Sequence, residues 1–198
     1  RSFRGVSVKR TMPLKIAGLA LAFMGAGALG GCFNLDAFND SPNVGPCPVT
    51  GSLYEANRVV EVQGVERHEN VGFTGAIEGV RGFCRYVGTS PITMEIEVDF
   101  ALGRGPKAEG YSHNYPYFVT VTRRDKSVLA KEVYQMKVDF PRNKDEVRRT
   151  EKIDGIVIPR ATGTVSGTNF EVIVGFDLTP DQLAYNRSGK RFKMNTGD

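Results

Sequence analysis

The chain has few of the residue types that usually carry catalysis or metal binding. Its 198 residues include two histidines, three cysteines and no tryptophan. The two histidines do not have the spacing of a zinc-ligand pair, and no serine lies in the Gly-x-Ser-x-Gly turn of a hydrolase. No glycine-rich stretch has the spacing of a phosphate-binding loop. The sequence therefore predicts a protein that is not an enzyme and that uses no metal or cofactor.

The chain without residues 1–31 also has no strong excess of positive or negative charge. The whole chain has a formal net charge of +4, but residues 1–31 contain five basic residues and no acidic one. The rest of the chain has 21 basic and 22 acidic residues. Because nucleic-acid binding depends mainly on concentrated positive charge facing phosphates, we expect no nucleic-acid partner.

Long apolar runs are missing except for one near the beginning of the sequence. Residues 16–31 are uncharged, follow the basic start 12–15, and end in Leu-Gly-Gly before Cys32. This arrangement resembles the signal of bacterial lipoproteins, the lipobox, and the resemblance implies cleavage before Cys32 and lipidation, with palmitate among the acyl chains, of that cysteine. The alternative is a transmembrane helix, but the run is short for a bilayer and contains five glycines. Residues 1–31 are therefore interpreted as a signal segment.

The lipobox resemblance also implies a location. A cysteine that carries several acyl chains would anchor the protein stably to a membrane, facing the periplasm of a Gram-negative envelope. Residue 33 is phenylalanine, not the aspartate that is associated in some Gram-negative bacteria with retention at the inner membrane. We therefore expect the outer membrane rather than the inner membrane.

The two remaining cysteines are expected to form a disulfide. In an oxidising compartment surplus thiols tend to pair, and lipidation of Cys32 leaves Cys47 and Cys84. The bridge would close a loop of about 38 residues. The entropy that the unfolded chain then loses corresponds to a stabilisation of roughly 4 kcal/mol. Two free buried thiols are the alternative, and two cysteines without nearby histidines do not make a zinc site.

The sequence divides into a short tether and one domain. Residues 32–48 are rich in Asn, Asp, Ser, Pro and Gly and are predicted to be a flexible tether. Residues 49–186 suit a single domain, and residues 187–198 are predicted to be a disordered tail. The dominant period within the domain is two, which predicts strands with one buried and one solvent-exposed face at residues 54–63, 73–86, 92–102, 117–121, 134–140, 147–158 and 170–178.

Seven strands separated by turn residues predict an all-β fold. The leading candidate is an antiparallel two-sheet sandwich of immunoglobulin-like topology, and a closed barrel is the second. In the second strand the apolar parity switches between Ile77 and Val80, which predicts a β-bulge beside Gly79. The order Thr-Pro-Asp-Gln from Thr179 predicts the capping box of one short C-terminal helix.

Aromatic residues provide the candidate binding surface. The sequence places a loop over residues 111–118, and its rings are a candidate partner-binding cluster, made of Tyr111, Tyr115, Tyr117 and Phe118. Tyrosine supplies a large amphipathic contact area and is common at protein interfaces. The favoured interpretation is that some of these rings also cap the core.

Other polar groups are interpreted as structural. His68 and His113 are each expected to be solvated loop residues rather than catalytic ones. Glu95, Glu97 and Asp99 share one face of a predicted strand and could bind calcium only if further oxygen ligands closed the shell. The favoured interpretation is the polar face of an amphipathic strand.

Four segments resemble uncharacterised small lipoproteins of alphaproteobacterial envelopes; they are residues 82–86, 117–121, 128–133 and 174–183. The resemblance implies an envelope location and a β-rich domain, but no activity and no functional residues. Together with the missing catalytic groups, this predicts a non-enzymatic accessory or assembly subunit that binds another envelope protein. A lipoprotein that binds a small ligand or a glycan is the alternative. An unrecognised hydrolase is the third candidate, and a pocket that contains His113 and a carboxylate would support it.

Overall fold

The computed structural model of the protein describes Asn43 and residues 45–189, and the structural results below concern these residues. The described chain is mostly β-structure with one short α-helix. The strands are β1 (Val49–Ser52), β2 (Arg58–Val62), β3 (Val71–Arg85), β4 (Ile92–Arg104), β5 (Ser112–Arg123), β6 (Val128–Asp139), β7 (Glu146–Ile158) and β8 (Phe170–Phe176). The helix is α1 (Pro180–Arg187), and a 3₁₀ turn at Tyr54–Ala56 follows β1.

The strands form two sheets of four. One sheet has the order β1-β8-β5-β6, and the other has the order β2-β3-β4-β7. The prediction of a two-sheet, mostly β protein with one short helix is confirmed. One pair departs from the expected antiparallel arrangement, because β1 runs parallel to β8. The strand β1 was not predicted, since its four residues are too few to display a period.

The alternating pattern explains which faces of the strands are buried. Along β4, the apolar residues from Ile92 to Leu102 are buried at every second position and the polar residues between them are not. The buried faces of both sheets contribute to one apolar cluster. Rings join the two sheets within it, since Phe100 of β4 lies 5.2 Å from Tyr117 of β5 and 5.7 Å from Phe176 of β8 between centroids.

The predicted β-bulge is confirmed in β3. The pairing of β3 with β4 shifts register between Ile77 and Gly79. The extra residue restores the inward orientation of alternate side chains on both sides of the shift, which is why the apolar parity changes there in the sequence.

The predicted disulfide is also confirmed, and it closes one end of the sheets. Cys47 and Cys84 are bridged, with their Cα atoms 5.7 Å apart. Next to the bridge, Asn43 pairs with Tyr86 in an isolated parallel bridge and accepts a hydrogen bond from its backbone N–H at 2.8 Å. The described part of the predicted tether is therefore held against the end of β3.

A buried tyrosine and one arginine tie the loops at this same end. The Tyr86 hydroxyl donates to the carbonyl of Pro46 at 2.8 Å, and the Arg160 guanidinium lies 4.8 Å from the Tyr86 ring centroid. The Arg160 guanidinium donates to four backbone carbonyls, those of Gly88, Ser90, Gly163 and Val165. A single side chain thus fixes the two connections that flank β4 and β7 at this end, residues 87–91 and 159–169.

The C-terminal helix begins as the sequence predicts. Thr179 is the N-cap, and it forms a reciprocal capping box with Gln182. The helix lies beside the beginning of β2, where Asn186 donates to the carbonyl oxygens of Glu55 and Arg58 at 2.8 Å each. Arg187, placed by the sequence in a disordered tail, is the last residue of α1. No helix within the described residues is long and apolar enough to cross a membrane.

Candidate functional site

The candidate site lies at the end of the sheets opposite the disulfide. Strand pairing places Phe73 beside Arg104, and Gly103 beside Glu146, at this end, whereas Cys84 pairs with Met94 near the other. The connections 63–70, 105–111 and 141–145 therefore meet far from the point at which the chain joins the domain. Loops held on a rigid scaffold are a common place for binding residues.

Tyr111 immediately precedes β5 at this end. Its side chain is 41% exposed, and its carbonyl accepts a hydrogen bond from the backbone N–H of Phe140 at 2.6 Å. The guanidinium carbon of Arg104 lies 4.4 Å from the ring centroid, and that of Arg142 lies 5.6 Å from it. Both distances are within the range of cation–π contacts. We call Tyr111, Arg104 and Arg142 the Tyr111 surface.

The two arginines of the Tyr111 surface differ in how they are held. Arg104 donates to the carbonyl of Gly110 at 2.9 Å and forms an ion pair with Asp145 at 3.3 Å. In the part of the chain that the structure describes, no acidic side chain lies within ion-pairing distance of Arg142. Arg104 therefore fixes the position of the ring, while the guanidinium of Arg142 is available to an external carboxylate.

The other predicted aromatic residues do not share this exposure. Residues 112–118 belong to β5 and not to a loop, so the predicted loop is wrong. Tyr115 and Tyr117 are 1% and 2% exposed, and the Tyr115 hydroxyl donates to the carbonyl of Gly103 at 3.4 Å. Alternation along the strand turns both rings into the core. Burial raises the pKa of both phenols.

Phe118 lies on the opposite face of β5 and is also covered. Its ring packs beneath the Lys131 ammonium group, whose nitrogen lies 4.5 Å from the ring centroid. A side chain added at Gly175 would collide with the Phe118 ring and with Ala56, which shows how closely the 3₁₀ turn lies over this ring. Of the four predicted contact residues, Tyr111 alone offers a substantially exposed ring.

His113 is not the solvated loop residue that its sequence context indicates. It lies near the beginning of β5, with its ring stacked on Phe73 at 4.2 Å and edge-on to Tyr115 at 4.5 Å between centroids. The Glu61 carboxylate lies 3.2 Å from His113 Nε2. Burial lowers the pKa of His113, and the negative charge of Glu61 opposes part of that shift.

The His113–Glu61 pair resembles the base and orienting acid of a hydrolase only in part. Such a site also needs a nucleophile within hydrogen-bonding reach of the imidazole. Among the described residues, no serine, threonine or cysteine side chain hydrogen-bonds to His113. The same part of the chain contains no group of three or more His, Cys, Asp or Glu side chains arranged to hold a metal ion. The pair therefore acts as a polar contact between β2 and β5.

The acidic strand face is neutralised by basic residues of its neighbours. Arg81 of β3 forms ion pairs with both Glu97, at 3.2 Å, and Asp99, and Lys152 of β7 pairs with Glu95 at 3.0 Å. The hydrogen bond from Arg81, followed by one from Thr150, lowers the pKa of Asp99. These contacts fit the polar face of an amphipathic strand, which is the interpretation that the sequence favours.

Sequence reasoning missed two residues at this end of the sheets. Glu61 contacts His113, and Arg142 lies beside the Tyr111 ring. Glu61 lies 52 positions before His113, and Arg142 lies 31 positions after Tyr111. Neither belongs to a motif, and only the pairing of distant strands brings them to their partners. The alternation of His113 with Tyr115 and Tyr117 was the one available signal that the imidazole faces inward.

The predicted lipidation site, Cys32, lies outside the described residues. Comparison of the chain with protein-family models, with curated proteins and with solved structures gave no significant match.

Proposed function

We propose that the protein is a lipid-anchored module of the bacterial envelope that binds another envelope protein as an accessory or assembly subunit and has no catalytic activity. In this proposal Cys32 carries the lipid and the domain faces the periplasm, at the outer membrane rather than the inner membrane. The Tyr111 surface contacts the partner.

The observation that carries the proposal is the exposed Tyr111 ring with two guanidinium groups, those of Arg104 and Arg142, within 6 Å of its centroid. Tyrosine and arginine are the residue types enriched at the energetically dominant positions of protein interfaces. The ring is held by Arg104, which is itself fixed by Gly110 and Asp145. A ring that is already ordered loses little conformational entropy when a partner covers it.

The charges of the Tyr111 surface indicate the chemistry of the partner. Arg142 can form a two-pronged contact with a carboxylate, because a guanidinium presents parallel N–H donors. Asp145 already neutralises part of the charge of Arg104. We therefore expect a partner surface with at least one carboxylate beside a flat apolar group that covers the ring.

We also propose how the two sheets are arranged relative to each other. We infer that the two sheets form a sandwich, which is supported by the ring contacts of Phe100 with Tyr117 and Phe176. An immunoglobulin-like topology stays a prediction. The order β2-β3-β4-β7 places three consecutive strands side by side, whereas the corresponding immunoglobulin sheet has the order A-B-E-D.

Chemical crosslinking and purification of the membrane-anchored protein test the proposed binding. We expect a stoichiometric protein partner, and we expect Tyr111→Ala and Arg142→Ala each to reduce its recovery about tenfold, as truncation of a dominant interface residue does. Tyr54→Ala is the matched control, because Tyr54 is an exposed tyrosine outside the Tyr111 surface.

Two outcomes would contradict the proposal. Equal recovery of the same partner with Tyr111→Ala, Arg142→Ala and the control would show that the Tyr111 surface does not bind the partner. Repeated absence of any protein partner, together with saturable binding of a small ligand or a glycan, would favour the alternative of a ligand-binding lipoprotein.

A further inference from the structure

The end of the sheets that the disulfide closes is also the end at which the N-terminal segment joins the domain. Asn43 is bridged there to Tyr86. Two more connections meet at this end, because the backbone N–H of Gly167 donates to the Tyr86 hydroxyl at 3.2 Å and that of Arg124 donates to the Asn169 carbonyl at 3.2 Å. We call the connections here, with the strand residue on either side of each, the disulfide end; they are residues 85–92, 123–128 and 158–170.

The disulfide end is strongly basic, whereas the opposite end of the sheets is not. The disulfide end contains five basic residues and one acidic residue. The connections of the opposite end, taken with their flanking strand residues in the same way, contain five basic and six acidic residues; they are residues 62–71, 104–112 and 139–146. The excess of positive charge therefore lies at the end to which the proposed lipid anchor is joined.

Four of the five basic side chains at the disulfide end are available to another molecule. The exception is Arg160, whose guanidinium donates to four backbone carbonyls. Asp125, the one acidic residue, accepts hydrogen bonds from the backbone and the hydroxyl of Ser127. The remaining four basic side chains are exposed, and within the described chain none of them forms an ion pair; they are Arg85, Arg123, Arg124 and Lys126.

Exposed valines accompany these charges. Val128 is 63% exposed and belongs to a row of paired residues that runs through Thr122 and Glu171 to Val49. Val49 and Val87, which follows β3, are each 55% exposed, and Glu171 is the one acidic residue of the row. Apolar contact and attraction to anionic lipid together determine how strongly a protein surface binds a membrane.

We propose that the disulfide end rests on a membrane surface that contains anionic phospholipids. The four available basic side chains face the lipid phosphates, and the exposed valines enter the headgroup layer. This inference rests on the lipid anchor of the proposed function. Basic groups held close to such a surface are attracted to it, and the attraction falls off within about a Debye length.

The length of the tether supports the contact. Asn43 lies 11 positions after Cys32 and is held at the disulfide end. Eleven residues reach at most about 40 Å when fully extended, and the flexible tether that the sequence predicts would span about 18 Å. Contact with the membrane is then an intramolecular event, at an effective concentration on the order of millimolar. A surface contact that is weak by itself is sufficient under these conditions.

The contact would give the anchored domain a defined orientation. The Tyr111 surface lies at the end opposite the disulfide. With the disulfide end on the membrane, the Tyr111 surface faces away from the lipid and is accessible to a partner in the periplasm. A tether without this contact would let the domain present any of its faces to the membrane.

Fluorescence quenching in the anchored full chain tests the contact. The lipidated chain, checked by its palmitate label, is reconstituted in vesicles of mixed zwitterionic and anionic phospholipid. Val128→Cys carries the fluorophore, and Val65→Cys is the matched control, because Val65 is 67% exposed and lies at the opposite end. We expect acrylamide, an uncharged aqueous quencher, to quench the probe at 128 roughly threefold less than the probe at 65, since the headgroup layer covers the first.

Neutralisation of charge separates the contact from the anchor. We expect Arg123→Gln/Arg124→Gln/Lys126→Gln to raise quenching at 128 to the level at 65, without changing the palmitate label or sedimentation with membranes. The matched variant Arg67→Gln/Lys107→Gln/Lys144→Gln removes three positive charges from the opposite end and should leave the probe at 128 protected. Vesicles of zwitterionic phospholipid alone should have the effect of the first variant, because they lack the negative surface potential.

Three results would overturn the proposal, and they differ in what they say about the anchor. Equal quenching at 128 and 65 in a labelled, membrane-bound chain would remove the contact and leave the lipid anchor in place. Protection at 128 that is the same in zwitterionic vesicles and in the neutralised variant would show that anionic lipid is not recognised. A chain that incorporates no palmitate would remove the anchor and this inference together.

Discussion

The environment of His113 differs from the solvated loop that its sequence neighbours indicate. Its imidazole is stacked on Phe73, contacts Tyr115 edge-on and faces Glu61, so burial and charge act on it in opposite directions. Burial is the larger influence and lowers the pKa of His113 below its ordinary value of 6.5. Partial burial therefore favours the neutral form of this imidazole, whose side chain is 20% exposed.

We predict that Glu61→Gln lowers the pKa of His113 further. The substitution removes the negative charge that favours the imidazolium but keeps an oxygen acceptor for Nε2. The measurement is an NMR titration of the His113 ring in a His68→Gln background, which leaves one imidazole in the chain. An unchanged or raised pKa in the Glu61→Gln variant would contradict the assigned contact.

The same shift predicts how stability depends on pH. Because the folded-state pKa of His113 is depressed, the unfolded chain binds more protons as the pH falls below about 6.5. The contribution of His113 to stability is therefore present above pH 6.5 and is lost as the pH falls through the folded-state pKa. Urea unfolding at several pH values should show this loss, and His113→Phe should reduce it.

The predicted surface residues show what alternation along one strand can and cannot reveal. Tyr111 lies outside β5, whereas Tyr115 and Tyr117 occupy inward positions of it. The polar residues at 112–114 made this stretch look like a loop. The period of two was present in it and puts His113, Tyr115 and Tyr117 on one face, but the burial of that face depends on the opposite sheet.

At the level of whole strands and helices, local signals were reliable. The bulge beside Gly79 and the capping box of Thr179 each depend on residues a few positions apart, and both are confirmed. The parallel pairing of β1 with β8 joins Val49 to Glu171, which are far apart in the sequence. Such pairing depends on burial of the assembled sheets, so no local pattern predicts the strand order.

We predict that removal of the disulfide destabilises the domain. The double variant Cys47→Ser/Cys84→Ser should lower the free energy of unfolding by about 2–5 kcal/mol, because the unfolded chain regains the entropy of a long loop. Denaturant unfolding measures the loss, and reductant should reproduce it in the parent chain. Equal stability of the oxidised and reduced parent would contradict this role.

For the molecule as a whole, two features bear on the proposed lipid anchor: the charge of residues 1–31 and the ends of the sheets at which the disulfide and the Tyr111 surface lie. The net positive charge of the chain comes from residues 1–31, which contain five basic residues and no acidic one, because the rest has 21 basic and 22 acidic residues. The disulfide fixes residue 47 at one end of the sheets, and the Tyr111 surface lies at the other. A domain anchored through Cys32 would thus present the Tyr111 surface at the end away from the attachment point.

Metabolic labelling with palmitate tests the anchored state of the protein directly. We predict that the parent chain incorporates label and sediments with membranes, and that Cys32→Ser incorporates none. The double variant Cys47→Ser/Cys84→Ser is the control, and any of it that accumulates should retain the label because its Cys32 is intact. Label retained by Cys32→Ser, or a parent chain without label, would contradict lipid attachment at Cys32.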